Sequence, residues 1–97
     1  MNKWSTGKRD DNEEVILALL MVCGVHAIQL QQGAGADLIV CVSPPEFWEI
    51  KNPAQPPSKQ KLTKKEMELQ EICKHRKIKY RIIKSAEEAV NALNYRW

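Results

Sequence analysis

The chain has 97 residues, of which 43% are apolar and 28% are Asp, Glu, Lys or Arg, with a formal net charge of +3. That length bounds it to one small domain with a thin core, for which a homodimer is expected to add stability. The longest apolar run, Val15–Val25, is too short to span a bilayer. No secretory signal is visible, so a cytoplasmic protein without a membrane partner or an organic cofactor is expected.

Residues 1–10 read as a flexible basic arm carrying Lys3, Lys8 and Arg9, with Trp4 as a candidate anchor. Residues 11–97 read as a single domain. Asp11 or Asn12 is placed to cap a helix running to about Cys23, with Glu13 and Glu14 in its first turn and Gly24 at its end. This helix is apolar nearly all round, so heavy burial is expected. Val25–Leu30 reads as a strand, Gln31–Gly35 as a glycine turn, and Ala36–Val42 as a central strand rich in β-branched residues. Ser43-Pro44-Pro45 breaks that strand, and Glu46–Lys51 returns as the second arm of a hairpin.

Asn52–Leu62, with three prolines, reads as an extended loop. Thr63-Lys64-Lys65-Glu66 is a capping box that opens a helix to about His75, with Met67, Leu69, Ile72 and Cys73 facing inward. Ile78–Lys84 reads as a strand. Ser85-Ala86-Glu87-Glu88 is a second capping box, opening a helix that carries Ala89, Val90 and Leu93. The order is α-β-β-β-α-β-α, an α/β class with a mixed four-stranded sheet. Cys23, Cys41 and Cys73 are odd in number and far apart, and read as small core residues in a reducing compartment.

Charge is unevenly spread. Residues 51–84 hold eleven Lys or Arg against three acids, so a basic half faces an acidic remainder. Such a concentration suits a polyanionic partner. Lys59, Lys61, Lys64 and Lys65 flank the start of the second helix and are candidate phosphate contacts, helped by the helix dipole. A solvated lysine-rich surface is the plainer reading.

The chemistry-bearing residues are Asp37, Glu49 and Lys51. In a hairpin, facing positions sum to a constant. A turn at Ser43–Pro45 puts that sum between about 86 and 90, so Asp37 lies across from Glu49–Lys51. Glu49 and Lys51 are two apart and share one face, while Trp48 and Ile50 take the other. Two carboxylates, an ammonium and the backbone carbonyl of Ile50 thus gather at one place. Oxygen ligands of this kind suit Mg²⁺ or Mn²⁺, which keep several waters and need only one or two carboxylates beside a substrate phosphate. As a bare tripeptide, Glu-x-Lys is expected about once by chance in this composition, and a surface ion pair on a strand is its plain alternative.

Several segments in order carry a resemblance. They are Asp11-Asn12-Glu13 before an apolar helix, Gly35-Ala36-Asp37-Leu38-Ile39-Val40, Phe47-Trp48-Glu49-Ile50-Lys51, Lys61-Leu62-Thr63, Tyr80-Arg81-Ile82-Ile83-Lys84-Ser85, and Glu87-Glu88-Ala89 before Leu93. Together they resemble the PD-(D/E)XK nuclease superfamily, and within it the stand-alone phage and bacterial members of the VRR-NUC family. The resemblance implies a restriction-endonuclease-like core, metal binding by Asp37 and Glu49, and a catalytic role for Lys51. It also implies a site role for Glu13, which shares a helix face with Ile16 and Leu20. Ala36 stands where the family usually has proline, and Glu66 where it often has glutamine.

What the resemblance implies is a divalent-metal-dependent endonuclease acting on DNA, with branched or junction DNA as substrate, in a bacterial or phage-infected cell. The alternatives are a non-catalytic DNA-binding module on the same fold and an interaction protein unrelated to DNA. Gln29, Gln31 and Gln32 precede the Asp37 turn and are secondary candidates. His26 and His75 have no partner at metal-ligand spacing and read as structural or surface histidines. Tyr95 and Trp97 read as packing residues at the end of the last helix.

Overall fold

A computed structural model describes residues 11–94. The expectations for the basic arm with Trp4, and for Tyr95 and Trp97, lie outside those residues. Three helices and four strands follow the order α1 (Asp11–Val22), β1 (Ala27–Gln29), β2 (Leu38–Val40), β3 (Glu46–Ile50), α2 (Lys64–Arg76), β4 (Tyr80–Ile83) and α3 (Ala86–Asn94), with one 3-10 turn at Pro57–Lys59. The sheet order is β1-β2-β3-β4. The first two pairings are antiparallel and β3 runs parallel to β4. The result is a mixed α/β fold in the expected element order. No helix among the described residues is long and apolar enough to cross a membrane.

Alternation along the strands divides the sheet into two faces. Leu38, Val40, Trp48, Ile50 and Ile83 face one way and close against Ile16 and Leu20 of α1 and Ala89, Ala92 and Leu93 of α3. Asp37, Glu49 and Lys51 belong to the opposite face, which α2 covers. Trp48 is fully buried, and its indole N–H donates to Glu46 Oε1 at 2.9 Å. Arg81 Nε donates to the same oxygen at 2.8 Å. This Glu46–Trp48–Arg81 network, buried at Glu46 and Trp48 and partly exposed at Arg81, ties β3 to β4, and the sequence reading did not anticipate it.

The helix ends follow local chemistry. Gly24 takes φ +74° after α1, where the N–H of Val25 reaches back to the Leu20 carbonyl at 2.8 Å. Thr63 and Glu66 form the expected capping box. Ser85 accepts from the Glu88 N–H at 3.1 Å, but the Glu88 carboxylate takes the N–H of Lys84 instead of the cap residue's own. Lys77, rather than glycine, adopts the left-handed conformation that ends α2.

Four expectations need correction. Asp11 and Asn12 both lie inside α1 rather than capping it. The Asn12 amide instead donates to the carbonyls of Lys51 and Lys84, bridging the ends of β3 and β4. Heavy burial of α1 does not occur: Glu13, Ile16 and Leu20 form one buried stripe, while Val15, Met21 and Val22 are exposed. An all-round apolar sequence carries no angular information, and only one side of this helix meets the sheet. On α2, Cys73 is buried and Leu69 half-buried, but Met67 and Ile72 are exposed, because α2 covers the sheet along one narrow line. Cys23 and Cys41 are exposed, since each lies just past the end of its element, whereas Cys73 is a core residue as expected.

Candidate functional site

The register of the central hairpin decides the site. Leu38 pairs with Trp48 and Val40 with Glu46, so facing positions within the hairpin sum to 86, and Asp37, one residue before β2, comes to the same cleft as Glu49. The Asp37 N–H donates to the Trp48 carbonyl at 3.0 Å, and its Oδ2 accepts from the Ile50 N–H at 2.8 Å. The Asp37 carboxylate is therefore held against the Ile50 peptide, next to the Glu49 side chain.

Lys51 continues β3. Its N–H donates to the Ile83 carbonyl at 3.0 Å, and its own carbonyl receives the Asn12 amide at 2.9 Å. With the backbone held on both sides, the ammonium stands 3.4 Å from Glu49 Oε2 and 3.2 Å from Glu66 Oε1. Glu66 Oε1 also accepts the Thr63 N–H at 2.9 Å. One carboxylate thus closes the capping box of α2 and holds the lysine. The sequence reading assigned Glu66 the first task. The second depends on α2 crossing over β3, which local sequence does not report.

The segment that presents Asp37 is fixed by close contact. Gly35 has φ +104°, and a Cβ there would lie 2.9 Å from the Leu69 Cβ and 3.1 Å from the Lys65 carbonyl oxygen. The Tyr80 hydroxyl donates to the Gly35 carbonyl at 2.6 Å. Gly35 is thereby clamped between α2 and β4, and Ala36 is buried beside it.

A cavity of about 350 Å³ opens at this point. The 31–36 turn forms one wall, the start of α2 from Thr63 to Glu66 forms the other, and Asp37 and Glu49 lie between them. Lys64 and Lys65 stand on its rim, as do Gln31 and Gln32; Lys59, Lys61 and Gln29 are not among its lining residues. Glu49 is only 4% exposed and Lys51 9%. Glu13 is buried, but it also stands apart from the lining, accepting from Gln29 Nε2 on β1 at 3.3 Å. His75 pairs with Glu71 at 3.0 Å on the exposed side of α2, and the His26 carbonyl accepts the Cys41 N–H.

Three carboxylates and one ammonium share little water, and their proton affinities show it. Burial, then the Asp37 charge, then Glu66 push the Glu49 carboxyl up to about 9, against a smaller opposing pull from Lys51. On Glu66, burial is outweighed by hydrogen bonds from the Thr63 backbone, Glu49 and Lys51, and the net shift is downward. On Lys51, burial is outweighed by Glu66 and Glu49, and the ammonium is held above its usual range. Burial and the same three acids raise the Tyr80 hydroxyl, which stays protonated. At neutral pH a proton held on Glu49 therefore reduces the surplus negative charge of the cleft without cancelling it.

Among the described residues, no three carboxylate, imidazole or thiolate side chains converge to hold an ion by themselves. The oxygen-only donors at the cleft still fit a hard divalent cation, which needs one or two carboxylates and completes its shell with water. The surplus negative charge, met only in part by a proton, is what such a cation would neutralise. No family model, curated protein or solved structure matches the chain.

Proposed function

We propose that this protein is a divalent-metal-dependent nuclease that hydrolyses phosphodiester bonds in DNA, built on a restriction-endonuclease-like core. The observation that carries the reading is the presence of Asp37, just before β2, and Glu49 of β3 in one cleft, with the Lys51 ammonium 3.4 Å from Glu49. Asp37, Glu49 and the Ile50 carbonyl are the residues that would hold Mg²⁺ or Mn²⁺. Such an ion, when bound, lowers the pKa of a coordinated water and neutralises charge gathering on phosphorus.

The chain's own residues have separable tasks. Lys51, protonated and fixed by Glu66, holds the attacking water or the scissile phosphate as a point charge. Glu49 gives up its proton when the cation enters, so metal binding releases a proton. Lys64 and Lys65 on the rim take flanking phosphates at the start of α2. Lys59 and Lys61 extend that basic surface away from the cleft. Glu13 contributes by anchoring the first turn of α1 to β1 through Gln29, beside the Asn12 bridge that fixes Lys51. Branched DNA is the substrate arm that the family resemblance adds.

The test is incubation with plasmid, linear, splayed and four-way DNA in Mg²⁺, Mn²⁺ or EDTA, beside Lys51→Ala. Metal-dependent cutting is expected, falling roughly 10²–10³-fold in the variant on loss of one preorganised charge. DNA binding without cutting in any metal would replace this reading with a non-catalytic binding module. Neither binding nor cutting would remove DNA from the account.

A further inference from the structure

The C-terminal end of α2 carries a second basic cluster that the proposed nuclease site does not use. From Ile72 to Ala86 the chain has no Asp or Glu, while Lys74, Arg76, Lys77, Lys79, Arg81 and Lys84 supply six cations. Arg81 is committed to the buried Glu46, and Glu71 is met by His75 at 3.0 Å. Lys74, Arg76, Lys77 and Lys79 are exposed, and among the described residues no acid forms an ion pair with them. The other exposed acid of α2, Glu68, lies about two turns before Arg76. The helix dipole alone does not account for the cluster, because Lys74, His75 and Arg76 already complement it in the last turn. Lys77 adds a separate observation. It takes φ 60° and ψ 37°, the left-handed conformation that strains a side-chain-bearing residue. Every other described residue with positive φ is a glycine, at 24, 33 and 35. Glycine would end α2 at least as well, so position 77 keeps a cation despite backbone strain.

We infer that this cluster is a second phosphate-backbone contact for a nucleic acid seated in the cleft. Lys65 stands on the rim of that cleft. Arg76 follows it by three helical turns, so the two cations lie on one flank of α2, about 16 Å apart along its axis. Each strand of a DNA duplex carries one phosphate per ~3.4 Å of axis, so the gap corresponds to about five base pairs. The partner that satisfies both ends of α2 is therefore an extended polyanion. It continues about five nucleotides past the cleft, which a mononucleotide or a very short end does not. The neighbouring turn between β2 and β3, Cys41–Pro45, contains no charged residue, so nothing there opposes a phosphate.

The inference takes its partner from the nuclease reading, and the test separates the two. Binding of a labelled duplex of about 20 bp is measured by fluorescence anisotropy from about 50 to 200 mM KCl. Ca²⁺ replaces Mg²⁺, and gels check that the DNA stays intact. The full wild-type chain is compared with Lys77→Gly, Arg76→Gln/Lys79→Gln and Lys64→Gln/Lys65→Gln. Lys77→Gly removes the cation and the strain together, so weaker binding by this variant does not come from unfolding, and urea unfolding checks that. The expected result is several-fold weaker binding, with the log–log salt slope shallower by about 0.9 for Lys77→Gly and about 1.8 for Arg76→Gln/Lys79→Gln. Wild-type affinity and slope in both of these, with a loss only in Lys64→Gln/Lys65→Gln, would overturn the second contact and leave the nuclease reading standing. No DNA binding by the wild type at any salt would overturn both. Attachment to phosphatidylserine vesicles that Lys77→Gly loses, with its DNA binding unchanged, would assign the cluster to a membrane surface instead.

Discussion

Replacing Glu49 by Gln is expected to stabilise the metal-free protein. The folded state holds this carboxyl's proton to about pH 9, while the unfolded chain releases it near the ordinary value of 4.5. A raised carboxyl pKa favours the folded state fully below pH 4.5 and progressively less as pH rises toward 9. Each pH unit between those limits costs up to about 1.4 kcal/mol. At pH 7 the accumulated cost is on the order of 3 kcal/mol. Gln has the same shape, carries no ionisable group, and can still donate to Glu66. In EDTA, Glu49→Gln should therefore exceed the wild type by up to about 3 kcal/mol at pH 7, or roughly 10–20 °C in Tm for a chain of this size. The gap should close near pH 4.5. Thermal and urea unfolding of both proteins at pH 4.5, 6, 7.5 and 9 measures it. Adding Mn²⁺ should then stabilise the wild type and leave Glu49→Gln unmoved. A difference that does not change with pH, or a variant less stable than wild type throughout, would refute the account of the cleft as a store of unfavourable charge.

Other substitutions test the supports of the site. Gly35→Ala should lose about 1–3 kcal/mol in urea unfolding, because the new Cβ meets α2 at 2.9 Å and φ is positive; an unchanged midpoint would mean that α2 yields. Glu46→Ala should cost about 3–5 kcal/mol, since it strands the Arg81 guanidinium and the Trp48 N–H, and a loss below 1 kcal/mol would show that water replaces the carboxylate. Lys77→Gly should gain about 0.5–1 kcal/mol by relieving a left-handed residue at the end of α2. Calorimetric Mn²⁺ affinity should rise up to tenfold per pH unit between pH 6 and 9 as Glu49 surrenders its proton; a flat profile would place the ion elsewhere.

The hairpin was legible because it is written in short-range terms. Period-two burial and the Ser43-Pro44-Pro45 break put Asp37 opposite Glu49–Lys51, though only the observed pairing selects the register of 86 from the range that the turn allows. The capping box at Thr63 was legible for the same reason, whereas at Ser85 only the hydroxyl's half of the expected box forms. Glu66 shows the limit. Its local partner Thr63 is three residues away, and its functional partner Lys51 is fifteen away, on a strand brought near by the α2 crossover. Glu46 and Arg81, 35 residues apart, look like two ordinary surface charges until β3 and β4 run parallel. Glu13 faces inward as its helix position suggests, but inward here leads to Gln29 on the α1 side of the sheet rather than into the cleft.

On the proposed nuclease reading, the charge of the cleft bears on how DNA would be met. Glu49 and Glu66 pair with the Lys51 ammonium and Asp37 acts on Glu49, so three acids meet one cation and the floor repels a phosphodiester whenever they are ionised. Lys64 and Lys65 stand on the rim, where they attract the strand without cancelling the charge beneath it. The proton on Glu49 removes part of that surplus; a divalent cation would remove the rest and would supply a second positive charge beside Lys51. On that reading the basic rim and the acidic floor would divide the work: the rim would set affinity through salt-sensitive phosphate contacts, and the unfavourable charge stored at Glu49 would make productive seating depend on the ion.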